Sequence, residues 1–236
     1  IETATTRRRH TIPAARLSVA GEQGGAWPGP VPSPDGRAVA FTWQGADQSG
    51  ELRIARVSGG PARTVLRAAA GEWVSAEEWT QREHLLVRTR AADASARVSL
   101  VDGASGRVLR ELTNAPARAD RITLSPDERH LAWSEAAADG THTDVWLAAT
   151  GGGEPVPVAA SAANDLMPVW TRDGRHLLFV SDRTGTAGLW MQGIADGRPT
   201  GEPRLLQQDI GRIVTPLGLT PEGAFYYYRQ VGLVDV

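Results

Sequence analysis

Apolar residues in this chain of 236 residues fall in short runs, separated by clusters of Gly, Pro, Asp and Ser. No stretch keeps the roughly 3.6-residue period of a capped helix, so the pattern predicts an all-β fold. Five of the runs leave a similar turn. Ser33-Pro34-Asp35-Gly36-Arg37 leads into Ala38-Val39-Ala40-Phe41, and Thr80-Gln81-Arg82-Glu83 leads into His84-Leu85-Leu86-Val87. Ser125-Pro126-Asp127-Glu128-Arg129 precedes His130-Leu131-Ala132-Trp133, and Thr171-Arg172-Asp173-Gly174-Arg175 precedes His176-Leu177-Leu178-Phe179. Thr220-Pro221-Glu222-Gly223 precedes Ala224-Phe225-Tyr226-Tyr227. In such turns Pro pre-sets φ, Asp bonds back to the local backbone and Gly accepts positive φ. After each turn a period-two alternation predicts a strand of a sheet with one buried face.

The runs repeat at a fixed interval. From Ala38 to His84, to His130 and to His176 each step is 46 residues, and the next, to Ala224, is 48. A third strand follows in each unit (Leu52-Arg53-Ile54, Val98-Ser99-Leu100, Val145-Trp146-Leu147, Leu189-Trp190-Met191), and a further apolar stretch closes it, as in Val108-Leu109-Arg110-Glu111-Leu112. Four strands in about 45 residues is the plan of a β-propeller blade. The expected blades are 22–68, 69–114, 115–160, 161–208 and an incomplete 209–236, after an N-terminal segment 1–21 with a strand near 10–20. Two accounts fit that strand. It completes the fifth blade and closes a five-bladed ring, or it ends an earlier blade of a ring with about six to eight.

Composition narrows the function classes. With 41% hydrophobic residues and a net charge of −2 the chain is a globular one, not a disordered one. A pI near 6.2 offers no basic excess for nucleic acid. All 25 basic residues are Arg, so lysine chemistry is excluded, and the absence of Cys excludes disulfides and thiolate catalysis. No apolar run approaches the roughly 20 residues that span a bilayer, which argues against membrane insertion. Arg7-Arg8-Arg9-His10 imitates the start of a signal peptide, but no apolar run follows it. The start at Ile1-Glu2 and the apolar end Val231-Gly232-Leu233-Val234-Asp235-Val236 read as those of a piece of a longer protein.

The motif at 33–41 and the stretch Met167-Pro168-Val169-Trp170-Thr171-Arg172-Asp173-Gly174-Arg175-His176-Leu177-Leu178-Phe179-Val180-Ser181-Asp182-Arg183 resemble the PD40 (WD40-like) repeat. That repeat builds the propeller of TolB-type bacterial proteins and those of prolyl oligopeptidase-family proteases. The resemblance runs over almost the whole chain after about residue 22 and implies the repeat type, not a reaction. It implies a periplasmic or secreted location, with the cytoplasm also compatible. The chain departs from both in not containing the TolB N-terminal α/β domain or the peptidases' Gly-x-Ser-x-Gly elbow and α/β half, each of which a longer protein would carry outside this piece.

Candidate chemistry is sparse. His84, His130 and His176 recur at one repeat position, which predicts surface polar residues too far apart to share a metal ion. His10 and His142 are isolated. Phe41, Trp133, Phe179 and Tyr227, with Trp146 and Trp190, are expected between blades as core. Trp27 and Trp73 precede innermost strands, outside the repeat. Asp127 and Asp173 belong to turns, and Asp182-Arg183 is expected to stabilise its own hairpin. Gly151-Gly152-Gly153 precedes no helix and cradles no phosphate, and no motif for a cofactor, calcium or zinc occurs. Polar groups converge from several blades only at the connections into the innermost strands, which ring one mouth of the channel. Near them lie Glu77-Glu78, Asp120, Asp165 and Asp209, and the candidate binding residues there are Trp73, Glu77, Arg118, Asp120, Arg121, Asn164, Asp165 and Arg212.

Three functional readings follow. The first is a non-catalytic propeller binding a protein or small-molecule ligand at the channel mouth, with no catalytic residue, metal or cofactor. The second is the gating propeller of a prolyl oligopeptidase-family serine peptidase, its hydrolase domain outside this chain. The third is a hydrolase or lyase working with channel carboxylates.

Overall fold

The computed structural model describes residues 29–44, 50–112, 119–159, 161–211, 213–219 and 224–229. The strand near 10–20, the apolar end 231–236, His10, Trp27, Arg118 and Arg212 lie outside these residues, as does the side chain of Tyr227.

Every element described is a strand. The first sheet holds β1 (Val31–Pro32), β2 (Ala38–Gln44), β3 (Gly50–Arg56) and β4 (Arg63–Arg67). The second holds β5 (Trp73–Trp79), β6 (His84–Arg90), β7 (Ala96–Asp102) and β8 (Val108–Leu112), and the third holds β9 (Arg121–Leu124), β10 (His130–Ala136), β11 (Thr143–Ala149) and β12 (Val156–Pro157). The fourth holds β13 (Asp165–Trp170), β14 (His176–Ser181), β15 (Gly188–Ala195) and β16 (Arg198–Gln207). β17 (Ile213–Leu219) and β18 (Phe225–Arg229) pair as the start of a fifth. All pairings are antiparallel between chain neighbours, so each sheet is a meander. The first strands lie beside one another, β1 against β5, β5 against β9, β9 against β13 and β13 against β17. This is the arrangement of β-propeller blades, as the repeat predicts.

The repeat turn works as its residues require. Asp35, Asp127 and Asp173 each accept through Oδ1 from the hydroxyl two residues before and from the amide of Arg37, Arg129 or Arg175, at 2.6–3.0 Å. These bonds hold all three carboxyls below the ordinary carboxylate range, against burial, which opposes them most in Asp127. The second sheet departs, because Arg82 stands where the others have Asp. Its Thr80 hydroxyl is then free to donate across to Glu128 of the third sheet, at 2.9 Å.

Burial corrects the one-faced reading of the strands. In β6, β10 and β14 the four residues after the first are buried without interruption. Leu85 and Val87 pack with Ala40 and Leu52 of the first sheet, while Leu86 packs with Ile122, Leu131 and Trp133 of the third. Leu177 and Phe179 meet Val145 and Leu147, while Leu178 and Val180 turn toward Leu219 and Phe225. A blade is flanked on both faces, so both sets of alternate side chains leave water, each contributing about 1.5–3 kcal/mol. Trp133, Phe179 and Phe41 are buried, and Trp146 and Trp190 pack against the inter-sheet clusters, as expected of core aromatics.

Candidate binding site

The proposed mouth residues are positioned by the connections that lead into β5, β9 and β13. Trp73 is the half-buried first residue of β5. Asp120 is exposed on the bend before β9, and half-buried Arg121 begins that strand. Half-buried Asn164 precedes β13, and Asp165, its first residue, is completely buried.

Glu77 and Glu78 lie not at the connection, where they are expected, but as the fifth and sixth of the seven residues of β5, and they owe their directions to a bulge. Ala76 pairs with Val87 and Glu78 with Leu86, so Glu77 is an extra residue in the strand. Neighbours in a regular strand point to opposite faces, and a bulge relieves that rule. Here both carboxylates serve the junction with the third sheet. Glu77 is buried and closes an ion pair with buried Arg88, Oε2 to Nη2 at 2.8 Å and Oε1 to Nε at 2.8 Å, while the Ser75 hydroxyl donates to Oε1 at 3.1 Å. Arg88 also donates to the Ala119 carbonyl and, at 3.4 Å, to that of Asp120. It thereby joins Glu77 to the backbone carrying Asp120 and Arg121. Glu78 accepts from the Thr123 hydroxyl at 2.7 Å and the Leu124 amide at 2.9 Å. Burial pushes its carboxyl above the ordinary glutamate value against these bonds and nearby Arg121.

A second device of the same kind holds the connection into β13. Arg183 Nη2 reaches both oxygens of Asp165 at 2.9 Å, and Asp182 accepts from the Asn164 amide and side chain at 2.8 Å each. Burial pushes the Asp165 carboxyl up, opposed by bonds from Ser181, Arg183 and Ser161. The Arg183 guanidinium lies over Trp190, 4.8 Å from the ring centre, and over Phe179 at 5.4 Å. The Asp182-Arg183 pair therefore does more than stabilise its own hairpin, because it grips the incoming connection. Sequence reasoning missed Arg88. Its signal was a lone arginine directly after Leu85-Leu86-Val87, at the repeat position where the neighbouring sheets carry Ser134 and Val180.

The repeat histidines also differ from expectation. His84 is only 23% exposed, and its Nδ1 lies 2.9 Å from Oε1 of Glu128 in the next sheet. His130 packs against the fourth sheet so closely that a Cβ on Gly197 would come within 2.4 Å of its Nε2. Both are joints between blades, not solvated surface groups.

The structure places two of the proposed residues, Glu77 and Asp165, in buried ion pairs. Arg88 links Glu77 to the backbone of Asp120, and Asn164 and Asp165 form a separate cluster with Asp182 and Arg183. Among the described residues no group of His, Asp and Glu is arranged to hold a metal ion, and no helix is long and apolar enough to cross a membrane.

No family model matches the chain, and no curated protein matches it in sequence. Solved structures do match. A protein described as TolB from Agrobacterium tumefaciens is 18% identical with a TM-score of 0.60, covering 88% of this chain and 70% of its own. TolB from Acinetobacter baumannii is 20% identical with a TM-score of 0.51, covering 74% of this chain and 44% of its own. A prolyl endopeptidase is 12% identical with a TM-score of 0.52, covering 77% of this chain and 29% of its own. The chain thus spans less than half the length of the last two. At these identities the likeness is one of fold: the chain is an all-β propeller built from four-stranded antiparallel blades, similar to those of TolB and the prolyl oligopeptidase family.

Proposed function

We propose that this chain is a non-catalytic interaction module that binds a protein or small-molecule ligand through the face bearing Trp73, Asp120, Arg121 and Asn164, with Arg118 and Arg212 as further members. One observation carries the reading: Glu77 and Asp165, the carboxylates best placed for acid–base work, are themselves buried and each closed by an arginine, buried Arg88 and half-buried Arg183. A carboxylate so engaged holds a scaffold more readily than it exchanges protons with a substrate. The pairs leave Asp120 exposed on a connection whose backbone Arg88 holds from behind, with Arg121 and Trp73 half-buried at the starts of β9 and β5. Preorganised loops of this kind lose little entropy on binding. The fold likeness to TolB supports the same reading and a location outside the cytoplasm.

A screen for ligand-induced melting shifts tests it. Hits on the wild-type chain are expected to vanish in a Trp73→Ala/Asp120→Ala/Arg121→Ala variant and to survive Leu206→Ser on the exposed outer edge. The reverse result moves the binding face to the outer edge and sinks the proposal.

A further inference from the structure

The junction between the second and third sheets sets a histidine, the side chain that ordinarily changes charge near neutral pH, against a carboxylate. His84 opens β6, Glu128 sits in the turn between β9 and β10, and one oxygen of Glu128 meets both His84 Nδ1 and the Thr80 hydroxyl, each at 2.9 Å. The Glu128 side chain is 8% exposed. Its own backbone carbonyl accepts from Arg110 of β8 at 2.9 Å, so this turn is held by two strands of the preceding sheet.

Charged groups face the pair from the neighbouring strands. On β7, Asp102 stands directly opposite His84 in the register, its carboxyl lowered first by the bonds from Ser105 and to a smaller degree by His84. On β5, Glu78 lies close enough to Glu128 for the two carboxylates to repel. Arg121 of β9 faces Glu78, and Arg110 is committed to the Glu128 carbonyl. A protonated imidazole donates from Nδ1 with a full charge, whereas a neutral one offers at most an ordinary hydrogen bond in one tautomer.

We propose that His84 and Glu128 form a proton-operated latch between the second and third blades, closed when His84 carries its proton and loosened when it does not. Histidines change charge between about pH 5 and pH 8, so the latch tightens toward acid and slackens toward alkali. The same junction carries the grip of Arg88 on the carbonyls of Ala119 and Asp120. The latch therefore sets how firmly the segment bearing Asp120 and Arg121 is held.

Amide hydrogen exchange at Glu128, whose N–H closes the latch turn onto the Ser125 carbonyl, reads the latch locally. After correction for intrinsic rates, its protection is expected to be about tenfold greater near pH 5 than near pH 8, as a charge-assisted bond implies. His84→Gln and Glu128→Gln should each abolish that pH dependence. His142→Gln, whose ring meets Asp144 and the Thr141 hydroxyl within the third blade and nothing across the junction, should leave it intact. Equal protection at both pH values in the wild-type chain overturns the proposal, and so does a pH dependence that persists in either junction variant. The wild-type measurement decides even if one variant fails to fold.

Discussion

One backbone position in the repeat turn takes positive φ in all four complete blades, with Gly36 at 69°, Glu83 at 62°, Glu128 at 62° and Gly174 at 68°. A side chain there costs about 1–2 kcal/mol, so each glutamate needs a compensation. Glu128 has one in the bonds from Thr80 and His84, whereas Glu83 is exposed. The same substitution is therefore expected to act with opposite sign at the two sites. Glu83→Gly should stabilise by about 0.5–1 kcal/mol once the added freedom of the unfolded chain is deducted. Glu128→Gly should destabilise by about 1–3 kcal/mol, since Thr80 and His84 lose their acceptor. Urea midpoints with unchanged slopes measure both. The turn itself was legible from Ser, Pro, Asp and Gly. The use of Glu128 was not, because its partners lie 48 and 44 residues away in the chain.

At the level of the strand, β6 shows why a sheet with one solvated face was the wrong expectation. Leu85 and Leu86 are both fully buried, yet they belong to different inter-sheet clusters. Leu85→Ala and Leu86→Ala should each cost about 2–5 kcal/mol in equilibrium unfolding. If either changed stability by less than about 0.5 kcal/mol, as an exposed position would, packing on both faces would be refuted. The unbroken run Leu85-Leu86-Val87 was visible in the sequence, but a run without polar interruption fits several environments. The bulge at Glu77 was not visible at all. Two adjacent acids in a strand imply opposite faces until the register with β6 shows an extra residue between Ala76 and Glu78.

For the molecule as a whole, stability against acid is spread over repeated turns. The carboxyls of Asp35, Asp127 and Asp173 lie below their ordinary range in the folded chain. A depressed folded value gives stability that is complete above the unfolded value, about 3.9, and is lost as pH falls through the folded one. The chain should therefore weaken from about pH 4 downward. A double Asp127→Asn/Asp173→Asn variant should show a shallower acid limb in urea midpoints followed across pH. An unchanged limb would mean that the loss arises elsewhere. Glu78 works in the other direction. Burial raises its folded value, so its contribution is present below the unfolded value and lost as pH rises through the folded one.

By itself the sequence determined the elements and their repetition: turns whose φ values suit Pro, Asp and Gly, strands between them, and a 46-residue interval that makes each unit a blade. Those are local or periodic properties, set within a few residues or by self-similarity. Only the tertiary structure decided which groups meet between blades. The closure of Glu77 by Arg88 and of Asp165 by Arg183, and the contact of His84 with Glu128, turned candidate catalytic or surface residues into joints. Such pairings depend on strand register and on how neighbouring sheets stack, and neither is encoded at any fixed spacing along the chain.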